Sequence, residues 1–250
     1  MNNYPDVAEI LVAIDCIIFG FDGKDIKLLV IKRNFEPEKG NWSLMGGFLE
    51  AAENLEDGAT RILYDLTGLK NVYVEQLRVY GDVRRDPVKR TVSIVFFALI
   101  NIDDHDENAV KAHNAFWISL NHRPSLIFDH NEMVLRAIEH LRYKAALHPI
   151  GFELLPEQFT IPQLQKLYEA IYNTPVDRRN FSRKLMSTRL LIDTGKKDGQ
   201  SATKKAILYK LDVIRYKEKF NSFWHFMPDS TEKGGRKIVD RSRNGDVEML

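Results

Sequence analysis

Apolar residues in the first half of the chain come mostly in short, β-branched runs. Residues 13–21 (AIDCIIFGF) and 26–32 (IKLLVIK) flank Asp22-Gly23-Lys24-Asp25, a pattern that predicts two strands joined as a hairpin. A loop over 34–41 leads into WSLMGGFLE. Leu55, Ala59, Ile62, Leu63 and Leu66 then recur at helical spacing within 52–66, and Gly68 supplies the stop. Residues 72–80 and 91–102 again read as strands, the second (TVSIVFFALINI) apolar enough to be buried on both faces. The polar loop GDVRRDPVKR separates them. A short strand is predicted over 114–118, then a helix capped by Asp129 or Asn131 that runs to about residue 147 and is broken by Pro149-Ile150-Gly151.

Beyond residue 159 the grammar changes. Thr160 is a good N-cap, Pro162 suits a first turn, and Leu164, Leu167, Tyr168 and Ile171 form one stripe that ends at Asn173-Thr174-Pro175. Asp177 caps a second helix, with Phe181, Leu185 and Met186 on one face and Arg178, Arg179, Arg183 and Lys184 largely off it. A strand over 190–193, the loop TGKKDGQSATKK and a strand over 206–211 complete a helix-turn-helix with a basic hairpin, or wing. No internal repeat is present.

Length and charge sharpen this division. A chain of 250 residues exceeds a typical single domain, so two domains with separate cores are expected: 1–150 and 151–219, followed by a tail over 220–250 whose end is expected to be mobile. Net charge is only +1, but residues 1–159 hold 17 Lys or Arg against 24 Asp or Glu, while residues 160–219 hold 14 against 6. The basic second helix and hairpin therefore point to a polyanion. With no basic stretch leading into an apolar segment and no long apolar run, neither a leader nor a membrane span is expected, which places the chain in the cytoplasm. The single Cys16 lies in an apolar run and is expected to pack as a small hydrophobe.

The stretch from Gly47 onward resembles the Nudix box. Gly47, Glu53, Arg61, Leu63, Gly68 and Leu69 fall in its register, but Ile62 and Leu66 stand where that family has glutamates, and Asp65 shortens a third. Magnesium needs a cluster of oxygen ligands, so no hydrolysis, metal or cofactor is expected. Glu53 is better read as a loop or helix-start residue favoured by the helix dipole. The resemblance implies an α+β chain: an N-terminal Nudix-like α/β/α sandwich with a mixed sheet, then a C-terminal winged helix-turn-helix domain. It also implies a ligand pocket over the sheet, with Lys32, Arg33, Trp42, Arg85 and Asp86 as candidate lining residues. Asp129 and His130 join them through a Phe-Asp-His element common in such sequences; their alternative roles are a helix cap and a satisfied partner.

The whole arrangement resembles the Nudix-related transcription regulators of the NrtR and AraR type, and is more similar to the arabinose-responsive AraR group of Bacteroidetes. That resemblance implies a homodimer on a palindromic double-stranded operator, repression relieved by ligand, and a pentose such as L-arabinose as effector, or ADP-ribose as in NrtR-type relatives. Arg178, Arg179, Asn180, Arg183 and Lys184 are the expected base-reading residues, and Lys196, Lys197, Lys204 and Lys205 the expected phosphate contacts. The rival is a magnesium-dependent Nudix pyrophosphohydrolase with an appended nucleic-acid domain.

Overall fold

The computed structural model describes residues 8–105, 107–147, 154–198 and 206–221. Its framework is a mixed sheet built on β1 (Leu11–Phe21), with β2 (Ile26–Lys32), β3 (Trp42–Ser43), β4 (Met45–Phe48), β5 (Glu75–Tyr80), β6 (Thr91–Asn101) and β7 (Ala115–Ser119). β1 is central because it is apolar on both faces. It pairs parallel with β6 along its whole length and antiparallel with β2 and β4, giving the order β3-β2-β1-β6-β5 with β7 added to β2.

Strand alternation sorts the core into two layers. Ile14, Cys16 and Ile18 face α1 (Leu55–Thr67) with its Ala59, Ile62 and Leu63. Ile17, Phe19 and Phe21 belong to the opposite layer with Met133, Val134, Ala137 and Leu141 of α3 (His130–Leu147). This is the expected α/β/α sandwich. Cys16 is fully buried beside the Ala59 carbonyl, and that burial pushes its thiol pKa up.

Several boundaries differ from the sequence reading. α1 starts at Leu55 because residues 50–53 form a turn in which Glu53 receives the Glu50 N–H; it ends as expected on Gly68, at φ 72°. β5 starts only at Glu75, since Val72 and Val74 pack against the core without joining the sheet. The short helix α2 (Glu107–Ala112) and the 3₁₀ turns Ile102–Asp104 and Leu120–His122 carry too little periodicity to be predicted. At the start of α3, the carboxylate of Asp129 is engaged by Arg85 and the Asn131 side chain donates to the Leu126 carbonyl. The Asp129 carbonyl takes the Met133 N–H.

The second part comprises α4 (Ile161–Tyr172), α5 (Arg178–Ser187), β8 (Leu191–Lys197) and β9 (Ile207–Leu211). Thr160 and Gln163 form a reciprocal capping box at the start of α4, and Asn173 ends it in the left-handed region at φ 50°. Thr160→Ala should lower stability by about 1 kcal/mol, a fall of roughly 2–4 °C in the thermal midpoint. Asp177 caps α5 by accepting the Asn180 N–H. Phe159 adds a further rung beside β9, exchanging both backbone hydrogen bonds with Tyr209 at 3.0 and 2.7 Å.

The expectation of two separate cores is not met. Leu154, Leu155, Phe159, Leu164, Leu167 and Ile171 share one buried cluster with Ile17, Phe19, Leu28, Met133 and Leu141. Chain length bears on domain number but not on where apolar faces dock; here α4 lays its stripe against α3 and β2. A separate unit begins at Asp212, where α6 (Val213–Asn221) is capped by Asp212, which accepts the Arg215 N–H. Neither the break at Pro149-Ile150-Gly151 nor the tail beyond residue 221 falls within the described residues. Among the described residues no helix is long and apolar enough to cross a membrane.

Candidate functional site

The loop before α1 is held by an ion pair. Arg61 donates through Nε and Nη2 to the two oxygens of Glu53, at 2.9 and 2.5 Å, and through Nη2 to the Phe48 carbonyl at 3.0 Å. These donors, with the Glu50 N–H, hold the Glu53 carboxyl down at about 2. Its partner is therefore the Arg61 side chain rather than the helix dipole. Ile62 is buried beneath Gly47, where a Cβ would lie 3.0 Å from its side chain, and Leu66 packs against the same layer. Asp65 is exposed, 3.9 Å from Arg61. A magnesium ion would have to displace a guanidinium from Glu53 and find its remaining ligands elsewhere, and among the described residues no group of three His, Cys, Asp or Glu could hold a metal. These residues do not fit a hydrolytic metal site.

On the α3 side of the sheet, polar groups converge on a cavity of about 160 Å³ lined by Asp15, Arg33, Phe35, Arg85, Phe128 and His130, among others. Asp15 points from the middle of β1 and is 4% exposed. Ser93 donates its hydroxyl to Asp15 Oδ2 at 2.5 Å, and a Cβ at Gly46 would stand 2.4 Å from Oδ1, so a side chain there would strike the carboxylate. His130 Nδ1 accepts the Leu44 N–H at 3.2 Å. Its proton therefore sits on Nε2, 3.5 Å from Asp15 Oδ1. Ser43 also lies 3.5 Å from Nδ1, but its hydroxyl donates to the Leu44 carbonyl, so the trio is no activated nucleophile.

Arg85 reaches in from the loop between β5 and β6. It grips both oxygens of Asp129 at 2.9 Å and lies 3.6 Å from Asp15. Arg33 is pinned by the Pro37 and Phe35 carbonyls, with its guanidinium 3.9 Å from the centre of the Phe35 ring. Asp86 accepts the Val88 N–H and the Thr91 hydroxyl. Burial lowers the pKa of His130 below its ordinary value, with Asp15 and Asp129 opposing. A depressed imidazole takes its proton more readily in the unfolded chain, so stability should fall as pH drops below about 6.5. His130→Gln should flatten that slope, which is at most about 1.4 kcal/mol per pH unit for one proton, in unfolding curves between pH 7 and 5.

The second surface is α5. Arg178, Arg179, Asn180, Arg183 and Lys184 are all exposed, and Arg183 donates to Asn180 Oδ1 at 2.8 Å. Phe181 and Leu185 pack inward, whereas Met186, expected beside them, is 47% exposed. The turn before α5 is tied to α4: Glu169 accepts the Val176 N–H and Gln165 donates to the Val176 carbonyl, each at 3.0 Å. Lys196 and Lys197 are exposed but sit on the end of β8, past a bulge at Gly195 (φ 69°), not in the loop; Lys204 and Lys205 lie outside the described residues.

Comparison with known proteins places both halves. Residues 10–136 match the NUDIX domain and residues 151–211 the NrtR DNA-binding winged helix domain. The "ADPR responsive transcriptional repressor NtrR" of Acinetobacter baylyi is 30% identical over 197 residues, 77% of this chain and 78% of that protein. The chain belongs to the NrtR-type family of Nudix and winged-helix transcriptional regulators. The crystal structure of Shewanella oneidensis NrtR complexed with a 27mer DNA is similar at a TM-score of 0.70 and 29% identity, over 82% of this chain and 95% of that one. An ADP-ribose pyrophosphatase of Methanocaldococcus jannaschii is 36% identical over 133 residues, 53% of this chain and 74% of that protein.

In this NrtR-type chain the sequence-derived candidates divide. Arg33, Arg85, Asp86 and His130 line the cavity, and Asp129 stands behind Arg85 as its partner. Lys32 and Trp42 do not line it: the lysine lies over the indole at 5.4 Å, and the indole packs edge-on against Phe116. Lys32 is the last residue of β2 and Arg33 the first beyond it, and only Arg33 lines the cavity. Asp15, Phe35 and Phe128 went unread. Asp15 had a usable signal, an acid inside an otherwise apolar strand.

Proposed function

We propose that this NrtR-type regulator is a cytoplasmic homodimeric repressor whose winged helices bind a palindromic operator. A small uncharged sugar in the Asp15–Arg85–His130 cavity releases it, and L-arabinose is the first ligand to test. The cavity itself carries this reading. Its volume, about 160 Å³, is below the roughly 300–1,000 Å³ of pockets for larger ligands. The guanidiniums of Arg33 and Arg85 share the lining with the carboxylates of Asp15 and Asp86, and Asp129 grips Arg85 from behind, so the lining holds no surplus of positive charge. A pyrophosphate would bring negative charge to a lining whose guanidiniums are already matched by carboxylates, whereas hydroxyls both donate to carboxylates and accept from guanidinium.

ADP-ribose is the second reading, favoured by the similarity to the A. baylyi repressor described as ADPR responsive. It requires the cavity to widen. The Nudix domain does not hydrolyse in either case, a reading supported by the Glu53–Arg61 pair and by Ile62 and Leu66. Titration calorimetry with L-arabinose, other pentoses and ADP-ribose tests the pocket. Saturable heat with a pentose, lost in Asp15→Asn, is expected; heat with ADP-ribose alone would replace the sugar. Magnesium-dependent release of nucleoside monophosphate from ADP-ribose, abolished by Glu53→Gln, would restore the enzyme reading.

A further inference from the structure

α3 joins the cavity to the winged helix. Its 18 residues span about 27 Å at 1.5 Å per residue. At its start Asp129, the residue before the helix, grips Arg85, and His130, its first residue, accepts the Leu44 N–H and faces Asp15; Arg85, Asp15 and His130 line the cavity. A ligand that draws Arg85 from Asp129, or His130 from Asp15, therefore acts on the start of this helix.

At the other end α3 is bonded to α4. Arg142 Nε donates to the Ile171 carbonyl at 3.1 Å, Tyr172 donates its hydroxyl to the Arg142 carbonyl at 3.0 Å, and Tyr168 donates to the Ala145 carbonyl at 3.5 Å. Burial pushes the Tyr168 hydroxyl up to about 12, so it stays a neutral donor. The ring of Tyr168 meets Phe181 of α5, with centroids 5.5 Å apart at 60°, and Tyr172 on its own helix. One side chain thus touches α3 with its hydroxyl and the basic helix with its ring. Tyr168 and Arg142 line neither the cavity nor the row of exposed bases on α5.

We propose that Tyr168 and Arg142 are the positioning residues that convert a movement of α3 into a changed attitude of α5, so that occupancy of the cavity alters operator affinity through them. This rests on the sensor reading above. A close-packed interface passes a small shift of one helix to the next, and the hydrogen bonds set which arrangement of α3 on α4 is favoured.

The experiment uses the full chain and the protein's own upstream DNA, with L-arabinose and ADP-ribose as probes. Operator Kd is measured with and without saturating probe, and probe Kd by calorimetry, for the parent, Tyr168→Phe, Arg142→Ala and Arg142→Lys. Tyr168→Phe keeps the ring and removes only the hydroxyl. Tyr168→Phe and Arg142→Ala are expected to keep operator Kd without probe, and probe Kd, within about threefold of the parent. Their ratio of operator Kd with and without probe should fall at least about fivefold, within the range of coupling factors known for allosteric proteins. Arg142→Lys, which keeps a donor for Ile171, should hold most of the parent ratio. Unchanged ratios in both variants, or weakened basal operator binding with the ratio intact, would overturn the proposal. A parent whose operator Kd neither probe shifts overturns the sensor reading, and this proposal with it, before any variant is compared.

Discussion

Replacing Arg85 by methionine should cost about 3–5 kcal/mol of stability, because it strands the Asp129 carboxylate and leaves buried Asp15 with Ser93 and His130 alone. Against a total of roughly 5–15 kcal/mol that is a large fraction, equivalent to a fall on the order of 10 °C in the thermal midpoint. The size of the effect follows from burial. The Arg85 side chain is only 5% exposed and Asp15 6%, so water cannot take the guanidinium's place. Arg85→Lys keeps the charge but not the paired grip on Asp129, and should recover less than half of the loss. Thermal unfolding of both variants checks this. A midpoint within about 2 °C of the parent for Arg85→Met would show that the cluster is solvated and the cavity loosely built.

The second large effect lies on α5. Arg178→Ala and Arg183→Ala should each weaken specific operator binding by about 1–3 kcal/mol, or roughly 5- to 150-fold, and relax the base preference at the position each reads. Lys196→Ala, on the end of β8, should behave differently. It should weaken specific and non-specific DNA alike and lower the salt slope by about 1, as loss of one phosphate contact does. Anisotropy titrations at several salt concentrations separate the two classes. If Arg183→Ala and Lys196→Ala gave the same loss on operator and random DNA, α5 would not be the reading helix. Arg183 also holds Asn180 at 2.8 Å, so its removal frees Asn180 to choose another partner.

What the sequence made legible was whatever local chemistry enforces. β2 falls on the predicted residues because an uninterrupted apolar run is bounded by a turn and by Lys32. α4 starts at its predicted cap because Thr160 and Gln163 satisfy each other's backbone. Gly68 stops α1 because the left-handed region is open to it without strain. What stayed hidden depends on contacts far apart in the chain. Whether Asp15 is a cavity acid or a misfit is decided by Ser93, Arg85 and His130, each 70 or more residues away. Trp42 is a candidate lining residue by its place before the box, but its ring packs edge-on against Phe116 on β7. β3 and β4 are too short to show a period and exist only because β2 and β1 offer open edges to them. The shared core is the largest gap, since nothing in the α4 stripe says that α3 will cover it.

The defective Nudix box shows the same division. That Ile62 and Leu66 stand in place of ligand glutamates is readable from register alone, yet the fate of Glu53 is not. The glutamate survives as the clamp that fixes the loop between β4 and α1 through Arg61, a structural use that does not need a metal.

The measurement that bears most directly on the central claim is operator binding by the full chain to its own upstream DNA, followed by anisotropy at fixed salt while L-arabinose, other pentoses and ADP-ribose are titrated in. Saturable, sequence-specific binding that a pentose releases is the predicted result. Absence of specific binding under every condition would contradict the regulator reading, and release by ADP-ribose alone would contradict the sugar.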